Sequence, residues 1–340
     1  MSGVARNIAE GRFRIGMVGF GNAGREFARI LLERGDELGR QAGVRLLVTG
    51  IHTRTRGTVS DGEGIDLAAA LEHLDETGRL PSAGEHAPET RDSVSFIRSC
   101  PADAIVEVTT LDVMSGEPAT THIETAFRVG MHVVTANKGP IAWHYRRLDA
   151  LAREAGRRLL FESTVMDGAP VFNLVRRCLK GCSISGFTGI LNSTTNFILD
   201  RVNAGESFDS ALRRAQAMGI AEADPSLDID GWDSAAKTAA LMNVLMDAGV
   251  TPLDIRREGI RGVTRPRGPL RLVCRGGRQG GSVRLETVPE GHLFTTVAGT
   301  SSVLVLHTDL MGDLVIVENE PGVTQTAYGI LSDILELTGN

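Results

Sequence analysis

The chain has 340 residues, of which 42% are hydrophobic, 23% charged and 4% aromatic, with a net charge of −6. The length suits two domains, and the acidic balance argues against nucleic acid or an anionic membrane as main partner. No run of 18 apolar residues exists to span a membrane, no signal-peptide h-region opens the chain, and Cys100, Cys178, Cys182 and Cys274 lack zinc-ligand spacing and read as small buried hydrophobes of a reducing cytoplasm.

The first element is "FRIGMVGFGNAGREFARILLER" (Phe13–Arg34): an apolar strand over Ile15–Val18, then G-x-G-x-x-G, then apolar residues at helical spacing. Strand, glycine turn and helix in that order form a dinucleotide fingerprint. Gly19 permits the tight turn, Gly21 lets the backbone approach a pyrophosphate, and Gly24 lets the helix pack on the strand. With Asn22 and Ala23 they place a helix N-terminus at the phosphates. A glycine-rich turn without a ligand is the plainer alternative. A second strand runs over Val44–Thr53 and is followed by Arg54, Thr55 and Arg56, with no acid to grip a ribose 2′-hydroxyl. Arg54 or Arg56 suits a 2′-phosphate, so NADP is expected ahead of NAD, against the alternative of a solvated basic loop.

Residues 57–64 read as a loop, Ile65–Leu74 as a helix and Pro81–Thr90 as an exposed excursion. Ala102–Thr110 is a strand whose end places Thr110 at the cofactor, and Ala119–Arg128 is a helix. His132–Pro140 is a strand running into a turn. It sets Lys138 at the carboxyl edge, where open α/β sheets bind ligands. There a lysine anchors a carboxylate or transfers a proton, unless it is simply a surface lysine. A helix (Trp143–Ala155) and a strand (Arg157–Thr164) complete an alternation that predicts a parallel sheet with right-handed crossovers, a Rossmann-type doubly wound α/β domain.

After Asp167 the rhythm changes. Helices are expected over Pro170–Leu179, Thr195–Val202, Phe208–Met218 and Gly231–Met246, with a strand over Ile184–Leu191. Strands fill Leu270–Val317, and a last helix, Gln325–Leu337, returns to the first domain. Within "DIDGWDSAAK" (Asp228–Lys237), Asp233 and Lys237 lie one helical turn apart on the same face. They form either a surface ion pair or a carboxylate and ammonium aimed into a cleft; Asp230 is the expected cap of that helix.

"TANKGPIA" (Thr135–Ala142), "FESTVMDGAPVFNL" (Phe161–Leu174), "GILNSTTNFIL" (Gly189–Leu199) and "GIAEADPSLDIDGWDSAAK" (Gly219–Lys237) together resemble the homoserine dehydrogenase family, in order and spacing along most of the chain. The resemblance implies reversible NAD(P)-dependent interconversion of L-aspartate 4-semialdehyde and L-homoserine, in the biosynthesis of threonine and methionine. It implies a nucleotide-binding domain (1–165, completed by 318–340), a mixed α/β substrate-binding and dimerisation domain (166–317), and a homodimer. It further implies that Lys237, Asp233 and Lys138 are catalytic, that Glu222, Asp228, Ser193 and Thr194 bind substrate, and that Glu162, Val165, Asp167 and Ala169 form a loop that holds a sodium ion in some members. Aldehyde reduction develops negative charge on oxygen, which an ammonium stabilises and can protonate.

Three places depart from the family pattern: Ser193 stands where Gly is usual, "AGTSSVL" has Ser where Asn is often seen, and "VENEPGVTQTA" (Val317–Ala327) puts Glu318, Glu320 and Pro321 where small residues approach the nicotinamide. They motivate an alternative, a related oxidoreductase acting on another small polar aldehyde or hydroxy acid. A cofactor-binding regulator without turnover is a third reading. With no amino-acid-binding extension after the last helix, insensitivity to threonine is expected.

Overall fold

A computed structural model describes residues 11–81, 92–264 and 268–339. The expected excursion over Pro81–Thr90 thus falls, from residue 82 on, outside the described residues.

The first half builds around one sheet. Its elements are β1 (Arg12–Val18), α1 (Asn22–Ala42), β2 (Arg45–Thr53), β3 (Gly57–Ser60), α2 (Leu67–Thr77), α3 (Ser93–Ser99), β4 (Ala104–Glu107), α4 (Ala119–Arg128), β5 (His132–Thr135), α5 (Lys138–Glu154) and β6 (Leu159–Leu160). The strand order is β3-β2-β1-β4-β5-β6, parallel except for the edge strand β3. Phe13, Ile15, Met17, Val106 and Val134 face Phe27, Leu31, Leu67 and Leu71 of α1 and α2. On the other face Val18, Ile105 and Val133 meet Phe96, Ile123, Phe127 and Ile141. Burial on both faces explains why these strands are continuous apolar runs.

The second half adds α6 (Val171–Cys178), β7 (Ile184–Ile190), α7 (Ser193–Asn203), α8 (Phe208–Ala217), α9 (Ser226–Ile229), α10 (Trp232–Met246), β8 (Arg256–Arg257), β9 (Leu270–Gly277), β10 (Gly280–Thr287), β11 (Ser302–Thr308) and β12 (Asp313–Glu318). Its sheet runs β12-β11-β7-β9-β10-β8. Helices α7 and α10 cover one face of it, and α10 also packs along α5, which ties the two halves together.

The last helix, α11 (Val323–Leu337), returns to the first sheet, as its apolar pattern predicts. Ala327, Ile330, Leu331 and Ile334 join the cluster built on Phe13 and Ile15. Asp333 goes in with them, 1% exposed, and accepts the Glu162 backbone N–H at 2.8 Å. Burial above all, with the nearby Glu162 carboxylate adding to it, pushes the Asp333 carboxyl up to about 8. The folded state therefore holds this proton more tightly than the unfolded chain, whose value is near 3.8. Its contribution to stability is full below that value and is lost as pH rises towards 8. Asparagine would keep the acceptor without the charge. We expect the thermal midpoint of the wild type to fall between pH 6 and pH 8, by at most about 1.4 kcal/mol of stability per pH unit for one proton. The Asp333→Asn midpoint should be flatter over the same range, and equal slopes in calorimetric scans would contradict this.

Five sequence expectations need correcting. The strand expected over Arg157–Thr164 is confined to β6, because the chain turns into a 3-10 helix at Glu162–Thr164, and Cys178 is exposed at the end of α6 rather than buried. Residues 57–60 are not loop but β3, which pairs with the end of β2 as a hairpin. Helix α5 starts at Lys138 rather than Trp143, because Asn137 caps it, its side chain accepting the Gly139 N–H at 3.1 Å, and Pro140 is tolerated in the first turn. Asp230 does not cap α10. Gly231 takes that place at φ 77°, while Asp230 forms a bidentate pair with Arg261 at 2.9 and 3.0 Å.

Candidate active site

The fingerprint glycines occupy the turn from β1 into α1. Gly19 has φ 96°, and a Cβ there would stand 2.5 Å from the Val108 carbonyl oxygen. A Cβ on Gly21 would meet nothing within 4 Å, which leaves the α1 N-terminus with Asn22 and Ala23 open to a phosphate. Gly24 is close-packed, with Met17 and the Gly19 carbonyl 3.3 Å from a Cβ. Gly19→Ala should therefore abolish measurable cofactor affinity or soluble expression, since neither positive φ nor rigid backbone can yield. Wild-type dinucleotide binding by a soluble Gly19→Ala protein would contradict this. Beside this turn, Thr110 is exposed just past β4, and Arg54 is exposed at the tip of the β2–β3 hairpin.

Across the carboxyl edge of the first sheet the structure brings together three of the expected residues. Lys138, at the first position of α5, reaches Asp233 with its Nζ 3.1 Å from Oδ1. Lys237 lies 3.4 Å from the other oxygen, Oδ2, and donates to the Leu191 carbonyl at 2.6 Å. One carboxylate thus clamps two ammoniums from facing helices. The side chains are 11% (Asp233), 16% (Lys237) and 18% (Lys138) exposed, so this is not the solvated surface pair that the spacing alone allowed. Placement follows from helix ends. Asp233 sits in the first turn of α10, where the macrodipole favours an anion, and it offsets the unfavourable ammonium at the start of α5.

The electrostatics follow. Burial alone would push Asp233 up, but the Lys237 and Lys138 charges outweigh it and hold the carboxyl well below its ordinary value. Burial likewise works against the Lys237 ammonium, but Asp233, Asp167 and Asp228 outweigh it and its pKa is raised. Lys237 is therefore charged at neutral pH. Of its three N–H donors, two are engaged by Asp233 and Leu191.

Asn192 was not anticipated. Its Nδ2 donates to Asp228 at 2.7 Å and to Asp233 at 2.9 Å, and its Oδ1 caps α7 through the Thr195 N–H. Its place before "STTN" is an N-cap signal that the sequence carried. Burial, and then the Asp233 charge, raise the Asp228 carboxyl. The Thr194 hydroxyl donates to the Ile220 carbonyl at 3.1 Å, and Ser193 is half-buried at the start of α7. Glu222 is exposed on the loop after α8. Its carbonyl is held by Gln216, and its carboxylate has no hydrogen-bond partner among the described residues.

Glu318, at the end of β12, accepts a hydrogen bond from the Gly168 backbone and feels Asp167 and Lys237. Burial, then the Asp167 charge, push it up to about 7, and its Oε2 is buried without a partner. The departure from the family pattern therefore puts a carboxylate on the wall of the site. In the expected sodium loop, Glu162 spends both oxygens on the α6 N-terminus, accepting from Phe172 at 2.7 Å and Asn173 at 2.8 Å. The Ala169 carbonyl accepts from Val171 at 2.8 Å, and Asp167 accepts from Thr326 at 2.9 Å. Val165 is buried beside them, and no group of three or more His, Cys, Asp or Glu among the described residues could hold a metal ion. The Glu162 and Asp167 carboxylates are thus engaged by the protein, and a cation in this loop would rest on backbone carbonyls instead.

Two family models match the chain: homoserine dehydrogenase, NAD binding domain, over residues 19–162, and homoserine dehydrogenase over residues 170–335. An NAD(+)-dependent homoserine dehydrogenase of Pseudomonas canavaninivorans is 34% identical, covering 96% of each chain. A homoserine dehydrogenase of Methanocaldococcus jannaschii is 35% identical over 94% of this chain and 97% of its own. A solved hyperthermophilic archaeal homoserine dehydrogenase in complex with NADPH superposes with a TM-score of 0.84 at 32% identity, covering 96% of this chain and 98% of that one. A dinucleotide turn and a carboxylate clamped between two lysines are thus set in a chain similar to these proteins over at least 94% of its length, and the chain belongs to the homoserine dehydrogenase family of NAD(P)-dependent oxidoreductases.

Proposed function

We propose that the Lys138–Asp233–Lys237 clamp is where L-aspartate 4-semialdehyde and L-homoserine are interconverted. The observation that carries this is the single carboxylate held 3.1 and 3.4 Å from two ammoniums at the carboxyl edge of the sheet. When bound, a nicotinamide would supply or accept the hydride. In reduction, the N–H of Lys237 left over by Asp233 and Leu191 stabilises the developing alkoxide and delivers its proton. Asp233 fixes both ammoniums, and Lys138 serves the reacting oxygen or the substrate carboxylate. Asp228, aided by Glu222, suits the substrate's α-ammonium, and Ser193 and Thr194 line its backbone. In this reading residues 1–165 with 318–340 carry the cofactor, and 166–317 carry the substrate. Purified protein should oxidise NAD(P)H on addition of aspartate semialdehyde, with homoserine the best of a panel of hydroxy amino acids in the reverse direction. A different preferred substrate would favour the second reading, to which the Glu318 carboxylate near Lys237 lends support.

We favour NADP over NAD on the acid-free β2–β3 hairpin with Arg54 exposed at its tip. Arg54→Ala should weaken NADP binding about tenfold, on the order of one lost charge-assisted contact, and leave NAD unchanged. Thermal-shift titration reads both, and tighter binding of NAD by the wild type would end the preference. A cytoplasmic homodimer is the expected assembly. The edge strand β12 leaves Val315 and Val317 more than two-fifths exposed, beside Leu310 and Met311, an apolar surface suited to a second copy. The sodium ion rests on the resemblance alone, and no step is routed through it.

A further inference from the structure

Glu107 ends the central strand β4 and is 0% exposed, yet nothing in the clamp touches it. Its Oε1 accepts the Thr109 backbone N–H at 3.2 Å and also the Thr109 hydroxyl. Its Oε2 accepts the Thr135 hydroxyl at 3.2 Å, and the same hydroxyl lies 2.9 Å from the Glu107 carbonyl. His122, itself buried on α4, brings Nδ1 to 3.5 Å. The Thr135 hydroxyl has one hydrogen, which Oε2 shares with the Glu107 carbonyl; a glutamine that kept its oxygen on the Thr109 donors would turn its NH2 onto that hydroxyl and reverse the direction of the bond.

This cluster leads to the site by two hydrogen-bonded routes that meet at Asn137. Thr135 Oγ1 accepts the Asn137 backbone N–H at 2.9 Å. Asn137 Nδ2 donates to the Thr109 carbonyl at 3.3 Å. Asn137 Oδ1 caps α5, whose first residue is Lys138, and Lys138 meets Asp233 at 3.1 Å. The Thr109 stretch also flanks the dinucleotide turn, because the Val108 N–H donates to the Val18 carbonyl at 2.9 Å and the Val108 carbonyl closes over Gly19.

We propose that Glu107 is a positioning residue for hydride transfer: through Thr109, Thr135 and Asn137 it sets the start of α5 and with it the Lys138 ammonium. The inference rests on the reading of Lys138 as part of the reacting site. A carboxyl group buried beneath the edge of the sheet is costly unless several donors meet it, and here they come from the ends of two adjacent strands, β4 and β5. The carboxylate thereby fixes the spacing of the β4 and β5 ends, and an error of about 1 Å there is enough to cost on the order of a hundredfold in rate.

The test is steady-state kinetics of Glu107→Gln, Lys138→Ala and the double variant. Thr135→Val and Thr135→Ser provide a second, independent break in the same bridge. We expect Glu107→Gln to lower kcat at least about tenfold with the KM for homoserine within about threefold, and to cost nothing further once Lys138 is already alanine. Thr135→Val should lower kcat similarly, and Thr135→Ser, which keeps the hydroxyl, should restore it. An unchanged kcat in folded Glu107→Gln overturns the proposal, as does the same fractional loss with and without Lys138. Should Glu107→Gln not fold, the Thr135 pair decides: equal kcat for the valine and serine variants overturns it. If Lys138→Ala itself keeps full kcat, the reading of the site fails as well, which separates the two failures.

Discussion

Lys237→Ala is expected to lower kcat at least a thousandfold while the affinity for the dinucleotide changes less than about threefold. The lysine belongs to α10 and meets the Leu191 carbonyl and Asp233. The dinucleotide turn belongs to β1 and α1. On the proposed role of Lys237, removing the ammonium removes both the charge that would meet a developing alkoxide and the proton that would be delivered to it. An electrostatic donor of this kind is worth about 10²–10³ and the acid–base role about 10²–10⁴. The two act as a unit, so the losses overlap rather than multiply. Stopped-flow hydride transfer and fluorescence titration of the reduced cofactor separate chemistry from binding. Turnover within tenfold of wild type would refute the assignment of Lys237.

Asp233→Asn is expected to damage both rate and stability. The carboxylate lies between two ammoniums and accepts from Asn192 at 2.9 Å. The isosteric amide leaves Lys138 and Lys237 facing each other without a counter-charge. Breaking a buried pair by removing one partner costs about 3–5 kcal/mol, and we expect kcat to fall on the order of a hundredfold or more. A pH profile adds a sharper mark. Asp233 heads the charges that raise the Lys237 pKa. Without it Lys237 deprotonates at lower pH, so the alkaline limb of the residual reduction rate should move towards neutrality. An unmoved limb, with a thermal midpoint equal to that of the wild type, would mean that the clamp does not form in solution.

Much of this protein was legible in its residues. The glycines at 19, 21 and 24 announced a dinucleotide turn, and at Gly19 the constraint is local: only glycine tolerates φ 96° against a carbonyl 2.5 Å away. The run of apolar strands and periodic helices predicted the parallel sheet, since strands buried on both faces have few other compositions. The four-residue spacing by itself puts Asp233 and Lys237 on one face of a helix. Less legible were the junctions. Neither β3 nor the early start of α5 stands out, because a four-residue edge strand and an asparagine cap carry little periodic signal.

What the sequence by itself determined is whatever rests on backbone conformation and short-range periodicity: the phosphate turn, the alternation of strands and helices, the face shared by Asp233 and Lys237, and the motifs that mark the family. Only the tertiary structure decided that Lys138, 95 positions before Asp233 in the chain, completes the same clamp. Likewise only the fold showed that Asn192 joins Asp228 to Asp233, that Glu318 comes into the field of Lys237, and that Glu107 reaches Lys138 through Asn137. Charges and hydrogen bonds act over a few ångströms of space whatever their separation along the chain, so their partners are fixed by how α5, α7, α10 and the ends of β4 and β5 pack together.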